Sequence, residues 1–315
     1  MKLKNLLLIF FSFLFLSCVT KPAEKTLNKF PHKKSLISNN GSLQLFFPEF
    51  SDANGKIIEG DGSVIIFPNK QVMVIDGYFS QASTKYVSYL KSLGINKIDF
   101  LVASHFHGDH IQSLPAIIDN FEIVNFYSPG APTNTWWSNY LLEKIQVKSI
   151  NHIILKEGDE LDIGEIHLKV FSPNLTEEDI YNVYNNPGKT EKLINNTSLV
   201  FKITYNKFSI MFTGDVYKNQ DRKISKKYGK ELKCDLLKLA HHGDFYTANS
   251  HTWISKVKPK YGIIIDSQYV THPWWGYVIR NRYSLHNVTL LYNNKDGYIS
   301  VISDGNEYTI ANYLL

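Results

Sequence analysis

Cysteine is nearly absent from this 315-residue chain, with Cys18 and Cys234 as its two representatives. That excludes a disulfide scaffold, which needs several pairs. The apolar run Leu6–Leu16 is well short of the ~20 residues that a spanning helix requires. Strong charge of one sign is missing too: the formal net charge of +5 is too mild to argue for nucleic acid by itself. There is no repeat at a short period and no low-complexity tract. Material for a core is plentiful, with 43% hydrophobic and 14% aromatic residues. A disordered chain does not carry that much. The length allows one large domain or two small ones.

Lys2 and Lys4 stand ahead of the apolar run, and Leu14-Phe15-Leu16-Ser17-Cys18 closes it. This resembles an export signal ending in the lipobox of bacterial lipoproteins, with Phe15 where Leu is usual; the alternative is an ordinary cleaved signal or a short anchor. The resemblance implies that residues 1–18 are a signal peptide and Cys18 is the lipidated first residue. The folded part would then be exported and anchored to the membrane of the cell envelope. Losing Lys2 and Lys4 lowers the formal charge by two, from +5 to +3. Residues 19–41, rich in Lys, Asn, Ser and Pro, read as a solvated tether. The domain is expected over 42–315. Its single Cys234 cannot form an internal disulfide and reads as a small buried side chain.

From Ser42 onward strand-like segments alternate with turns and helical stretches. Leu43–Phe47, Ser63–Phe67 and Gln71–Ile75 are β-branched or aromatic, the last two joined by Pro68-Asn69-Lys70. Ser83–Leu93 carries a helical apolar stripe, and Lys97–Ala103 reads as a buried strand. A helix is expected over Ile111–Ile118, and a loop region over Pro129–Tyr140. Leu199–Thr204 and Phe208–Phe212 predict a hairpin, followed by a helix over Asn219–Tyr228. Strands at Asp235–Ala240 and Tyr261–Asp266 flank a helix at Ser250–Val257. Two halves, each of strands followed by helices, predict two sheets sandwiched by helices.

Chemistry concentrates after the strand at Lys97–Ala103. His105, His107, Asp109 and His110 place three imidazoles and a carboxylate around one Gly-containing turn. Imidazole nitrogen and carboxylate oxygen are what Zn²⁺ or a similar divalent ion accepts. Two more strands end in Thr213-Gly214-Asp215 and His241-His242-Gly243. A carboxylate there can bridge two ions, and either histidine can complete a second coordination sphere.

That ordered set resembles the signature of the metallo-β-lactamase superfamily, closest to the hydrolase domain of ComEC-type competence proteins. Gly60-Asp61-Gly62-Ser63-Val64-Ile65-Ile66, Val74-Ile75-Asp76-Gly77, Asn195-Asn196-Thr197-Ser198-Leu199-Val200, Leu237-Lys238-Leu239-Ala240-His241-His242-Gly243 and Thr271-His272-Pro273 resemble that branch's segments. The His-His-Gly-Asp version is also similar to that of exported phosphorylcholine esterases of this fold. The resemblance implies an α/β fold, a four-layer αββα sandwich, with two divalent ions, Zn²⁺ or alternatively Mn²⁺. His105 and His107 would hold one ion; Asp109, His110 and His241 or His242 the other; Asp215 would bridge. A water activated by the ions would be the nucleophile. His272 would donate to substrate or leaving group, and Asn196 would hold the substrate or a water. Asp61 and Asp76 would order the loops beneath the site. Many members of the superfamily place a further histidine where Asn195 and Asn196 stand, so the first site is expected to be weaker or to be filled by water. Trp136-Trp137 and Trp274-Trp275 are expected either to rim the cleft or to pack at the edge of the core.

The leading expectation is an exported, dinuclear metal-dependent hydrolase acting on a phosphodiester, either nucleic acid or a phosphorylcholine-type ester. The alternatives are a lactonase or β-lactamase-like carbonyl hydrolase and a catalytically silent binding lipoprotein. No protein partner is expected.

Overall fold

The computed structural model describes residues 41–265, 272–293 and 298–313. Residues 1–40, with Cys18 and nearly all of the expected tether, lie outside the described residues, as do Asp266 and Thr271. Among the described residues no helix is long and apolar enough to cross a membrane.

The strands are β1 (Leu43–Phe47), β2 (Ser63–Ile66), β3 (Val72–Ile75), β4 (Lys97–Val102), β5 (Glu122–Ser128), β6 (Asn151–Ile154), β7 (Glu160–Ile163) and β8 (Ile166–Ser172). They continue with β9 (Val200–Tyr205), β10 (Phe208–Phe212), β11 (Leu236–Lys238), β12 (Tyr261–Ile264), β13 (Thr289–Tyr292), β14 (Tyr298–Ser303) and β15 (Tyr308–Tyr313). One sheet is ordered β15-β14-β1-β2-β3-β4-β5-β6, the other β13-β12-β11-β10-β9-β8-β7. Each contains a parallel block, β3 to β6 in the first and β10 to β13 in the second.

The helices of the first half are α1 (Ser83–Ser92), α2 (Gly108–Ile111), α3 (Leu114–Asn120) and α4 (Trp136–Val147). Short α5 (Glu177–Asn185) and α6 (Glu191–Asn196) precede β9; α7 (Lys218–Tyr228), α8 (His251–Val257) and α9 (Pro273–Ser284) serve the second sheet. Strand alternation assigns the layers. Ile210, Phe212, Leu236 and Ile263 join the core shared by both sheets, while their neighbours Met211, Leu237 and Ile264 face the other way. There they meet Ile224, Trp253, Val257, Ile279 and Tyr283 from α7, α8 and α9. Tyr86, Leu90 and Ile117 from α1 and α3 cover the first sheet. The result is helix, sheet, sheet, helix, the αββα sandwich that the sequence predicts.

Local chemistry redraws some boundaries. The helix expected over Ile111–Ile118 is two: α2 starts at Gly108 and so takes in Asp109 and His110, and α3 starts afresh at Leu114. Pro115, in the first turn of α3, has no N–H to give and cannot sit inside a continuous helix. The loop region expected to reach Tyr140 ends at Trp136, where Thr135 caps α4 by accepting from the Ser138 N–H.

Buried Asp221 joins α7 to α8. Its carboxylate accepts from the Ser250 N–H at 2.9 Å and from Ser250 Oγ at 2.6 Å, and Ser250 Oγ in turn accepts from the Trp253 N–H. Burial outweighs these bonds and pushes the Asp221 carboxyl up to about 6. A raised carboxyl favours folding in its protonated form, so its contribution is full below about pH 4 and is lost as pH rises through about 6. The roughly two-unit shift is worth about 3 kcal/mol. Asp221→Asn removes the charge and keeps one oxygen to accept from the Ser250 N–H, with its NH₂ turned to Ser250 Oγ as a donor. It is therefore expected to melt above wild type at pH 7 and to lose that advantage by pH 4. Melting curves across this range that run parallel for the two proteins would refute the assignment.

Candidate metal centre

Asp76 follows β3, the segment Ser104–His110 follows β4, Asp215 follows β10, and His241 and His242 follow β11. All leave the C-terminal ends of parallel strands, where α/β sheets place their sites. Two sheets thus deliver separate loops to one point.

The point is the carboxylate of Asp215. Its Oδ2 lies 3.2 Å from Nε2 of His110, 3.7 Å from that of His242, and 4.0 Å from those of His105 and His241. Asp109, His110, Asp215 and His242 offer donor atoms that all lie within 4.8 Å of one another. Asp109 Oδ2 is 3.2 Å from His242 Nε2 and 3.7 Å from His110 Nε2. His107 sits beside this group, its Nδ1 3.0 Å from His105 Nε2.

Each ring is aimed from behind. His110 Nδ1 is 2.9 Å from Asp76 Oδ2, whose other oxygen accepts from the Ser104 N–H at 2.7 Å. His242 Nδ1 meets the Ile265 carbonyl at 3.2 Å, and His241 Nδ1 meets Thr247 Oγ1 at 2.8 Å. With Nδ1 engaged, Nε2 of each ring is left for the centre. Both histidines reach it because the backbone twists there: His241, His242 and Gly243 take φ of 51°, 50° and 79° in succession. The left-handed region costs a non-glycine residue roughly 1–3 kcal/mol, strain that functional sites retain.

Electrostatics divides the rings. Burial opposes charge on His110, but Asp215, Asp76 and Asp109 prevail and raise it well above the ordinary imidazole value. His242 is raised by Asp215 and Asp109, also against burial. Burial, helped by nearby His110, takes His105 well below that value, and burial lowers His107. Burial resists ionisation of Asp109 and Asp215, yet His110 and His242 hold both carboxyls below their usual range.

These residues fit a metal. The donors are imidazole nitrogen and carboxylate oxygen, the set that divalent ions such as Zn²⁺ accept. Asp215 Oδ1 is buried with no hydrogen-bond partner. The amide of Asn195 is buried too, and it faces His107 and Tyr217. Buried polar atoms are normally satisfied, so the orphaned Asp215 oxygen at the middle of the cluster suits a ligand.

The other expected residues fall around this core. Asn196 has its amide engaged, Oδ1 accepting from the Tyr217 N–H at 3.0 Å and Nδ2 donating to Asn219 at 3.3 Å, so its neighbour Asn195 is the amide beside His107. His272 is exposed at the N-cap of α9, its ring 4.9 Å from that of Trp275, and joins none of the centre's bonds described above. Trp136 is 65% exposed and stacks on Tyr140 at 4.9 Å; its helix α4 packs against α2, which carries Asp109 and His110. Trp274 and Trp275 are exposed on α9.

Three contributors escaped sequence reasoning. Tyr217 lays its ring 5.3 Å from that of His241. Its position two residues past Thr213-Gly214-Asp215 was the available signal. Ser198 Oγ accepts from the Asp215 N–H at 2.9 Å. Lys238 pairs with Asp61 between the sheets. Burial pushes the Lys238 ammonium down to about 7.

An αββα sandwich with a His/Asp cluster where its two sheets meet defines a class of metal-dependent hydrolases. Residues 59–249 match the Metallo-beta-lactamase superfamily, and the chain belongs to that family. It is 22% identical over 232 residues to competence protein ComA of Neisseria gonorrhoeae, covering 73% of this chain but 29% of ComA. The chain therefore spans under a third of the length of that curated relative. Among solved structures it is similar to the metallo-beta-lactamase fold protein YhfI of Bacillus subtilis, with TM-score 0.48, 12% identity, and 80% and 96% of the two chains covered. It is also similar to CmlA, a diiron beta-hydroxylase of Streptomyces venezuelae, with TM-score 0.48, 10% identity and 78% and 52% coverage.

Proposed function

We propose that the protein is an exported phosphodiesterase that works with two divalent ions, preferentially Zn²⁺, and stands on a lipid tether at Cys18. The observation that carries the dinuclear reading is Asp215, one carboxylate oxygen faced by four imidazoles at 3.2–4.0 Å. Asp109, His110 and His242 form one half-site with it; His105, His107 and His241 remain for the other, where the Asn195 amide takes the place of a further imidazole. Bound there, the ions would supply an activated water and stabilise both the attacking and the leaving oxygen of an in-line displacement, which suits a diester. The chain's own part is to aim the rings through Asp76, Ile265 and Thr247. Tyr217, half-buried beside the cluster, is placed to meet substrate. Phosphorylcholine-type esters and nucleic acid both remain within this substrate class.

The test is metal content and hydrolysis of bis(p-nitrophenyl) phosphate by the full chain in detergent, beside an Asp109→Ala, His110→Ala variant. About two ions per chain and a diesterase activity lost in the variant are expected. Bound metal with ring opening of a lactone or β-lactam, and no diesterase activity, replaces the phosphodiester by a carbonyl substrate. Folded protein that takes up neither Zn²⁺ nor Mn²⁺ and hydrolyses nothing is a binding lipoprotein. Recovery of the chain in an acylated membrane fraction, lost on Cys18→Ala, tests the anchor.

A further inference from the structure

An ion pair lies where the sandwich would be expected to be apolar. Lys238, the last residue of β11, and Asp61, in the loop before β2, are both nearly fully buried and touch across the two sheets. Asp76, Ser104 and Gly214 surround them on the side of the centre, and Leu199, Phe201 and Phe212 on the side of the core. Nothing in the proposed chemistry uses either charge.

Each partner leads directly to one half of the centre. The Asp61 main-chain N–H donates to the carbonyl of Asp109 at 3.0 Å, and the Asp61 carbonyl accepts from the Tyr78 N–H at 3.0 Å. The Asp61 backbone thus grips the loop that presents Asp109 and His110. The close fit is enforced by Gly60, with φ 137°, where an added Cβ would come within 2.6 Å of the Asp109 carbonyl oxygen. Lys238 is followed immediately by Leu239-Ala240-His241-His242. Its carbonyl accepts from Thr213 Oγ1 at 2.8 Å, two residues before Asp215. On one side of the pair, then, are the ligands from the first sheet; on the other, those from the second.

Resting on the reading of the cluster as a metal centre, we infer that the buried Lys238–Asp61 pair is a strut that sets the spacing between the two halves of the ligand set. Lys238 is a positioning residue, acting on the ions through Asp61 and Asp109. A buried pair is poor at stabilising a fold, since well-packed apolar residues of similar size often do as well or better. It is directional, however, and side chains that merely fill the same volume would let the sheets settle by a few tenths of an ångström. Residues that orient ligands from behind are worth tenfold to a hundredfold in metal affinity.

The experiment uses the full chain in detergent, titrated with Zn²⁺ against a chromophoric chelator and with Co²⁺ for its visible spectrum. The apolar exchange Asp61→Leu, Lys238→Met is expected to melt at or above the wild-type temperature without metal. It should nevertheless bind Zn²⁺ about 10- to 100-fold more weakly, with an altered Co²⁺ spectrum. Wild-type affinity and spectrum in that variant overturn the strut. If the exchange does not fold, Lys238→Arg decides, because it keeps the charge but changes length and shape. About tenfold weaker binding with a shifted spectrum supports the inference; wild-type values overturn it. Wild-type protein that binds neither ion removes the metal centre and the strut with it. Variants that match a metal-loaded wild type remove the strut alone.

Discussion

Asp215→Asn is expected to abolish the paired metal centre while leaving the fold in place. The substitution keeps the shape of the side chain and removes the one charge that four imidazoles share at 3.2–4.0 Å. The backbone is held independently, through the Asp215 N–H to Ser198 Oγ, so the loop should not move. A neutral amide is a poor ligand for a divalent cation, and neither half-site then has a bridge. Metal retained after dialysis should fall from about two ions to one or fewer. Hydrolysis should fall on the order of a thousandfold, about 4 kcal/mol of barrier. Elemental analysis alongside a circular dichroism spectrum checks this. A variant that retains two ions shows that Asp215 does not bridge them.

Lys238→Met alone should be strongly destabilising although the position lies outside the ligand set. It leaves the Asp61 carboxylate buried without the ammonium that pairs with it, with the Asp76 carboxylate and the His110 ring both within 4.8 Å. Breaking one side of a buried pair typically costs about 3–5 kcal/mol. For a domain of this size that is a drop in melting temperature on the order of 10 °C. Adding Asp61→Leu should return most of the loss, since the stranded charge goes with it. Thermal melts of the two variants without metal test this, and equal melting of both would mean that Asp61 is solvated or protonated in the folded protein.

Much of the sandwich is legible along the chain. β1, β10 and the hairpin with β9 stand where β-branched and aromatic runs predict them, because a buried strand needs such side chains on both faces. The helix at α1 follows from its apolar stripe, with Tyr86, Val87 and Leu90 buried. The elements from β5 to β8, α5, α6, α9 and β13 to β15 are not legible along the chain, and the start of α4 reads as loop, because their patterns are mixed. β6 and β7, for example, have mostly exposed or half-buried residues and are held in place by their neighbours. Pro115 announces a break, but only packing shows that the turn before it becomes a ligand-bearing helix.

The sequence by itself determined the donor chemistry: which imidazoles and carboxylates exist, and that each group closes a strand. Side-chain type and strand periodicity are local properties, readable without knowing what lies opposite. The tertiary structure decided what they do together. It brought both His241 and His242 towards Asp215 through two left-handed residues, and set Asn195 rather than Asn196 beside His107. It also buried Lys238 against Asp61, 177 residues apart along the chain. Such outcomes depend on how two sheets meet, and the spacing of residues along one chain does not encode distances across the gap between them.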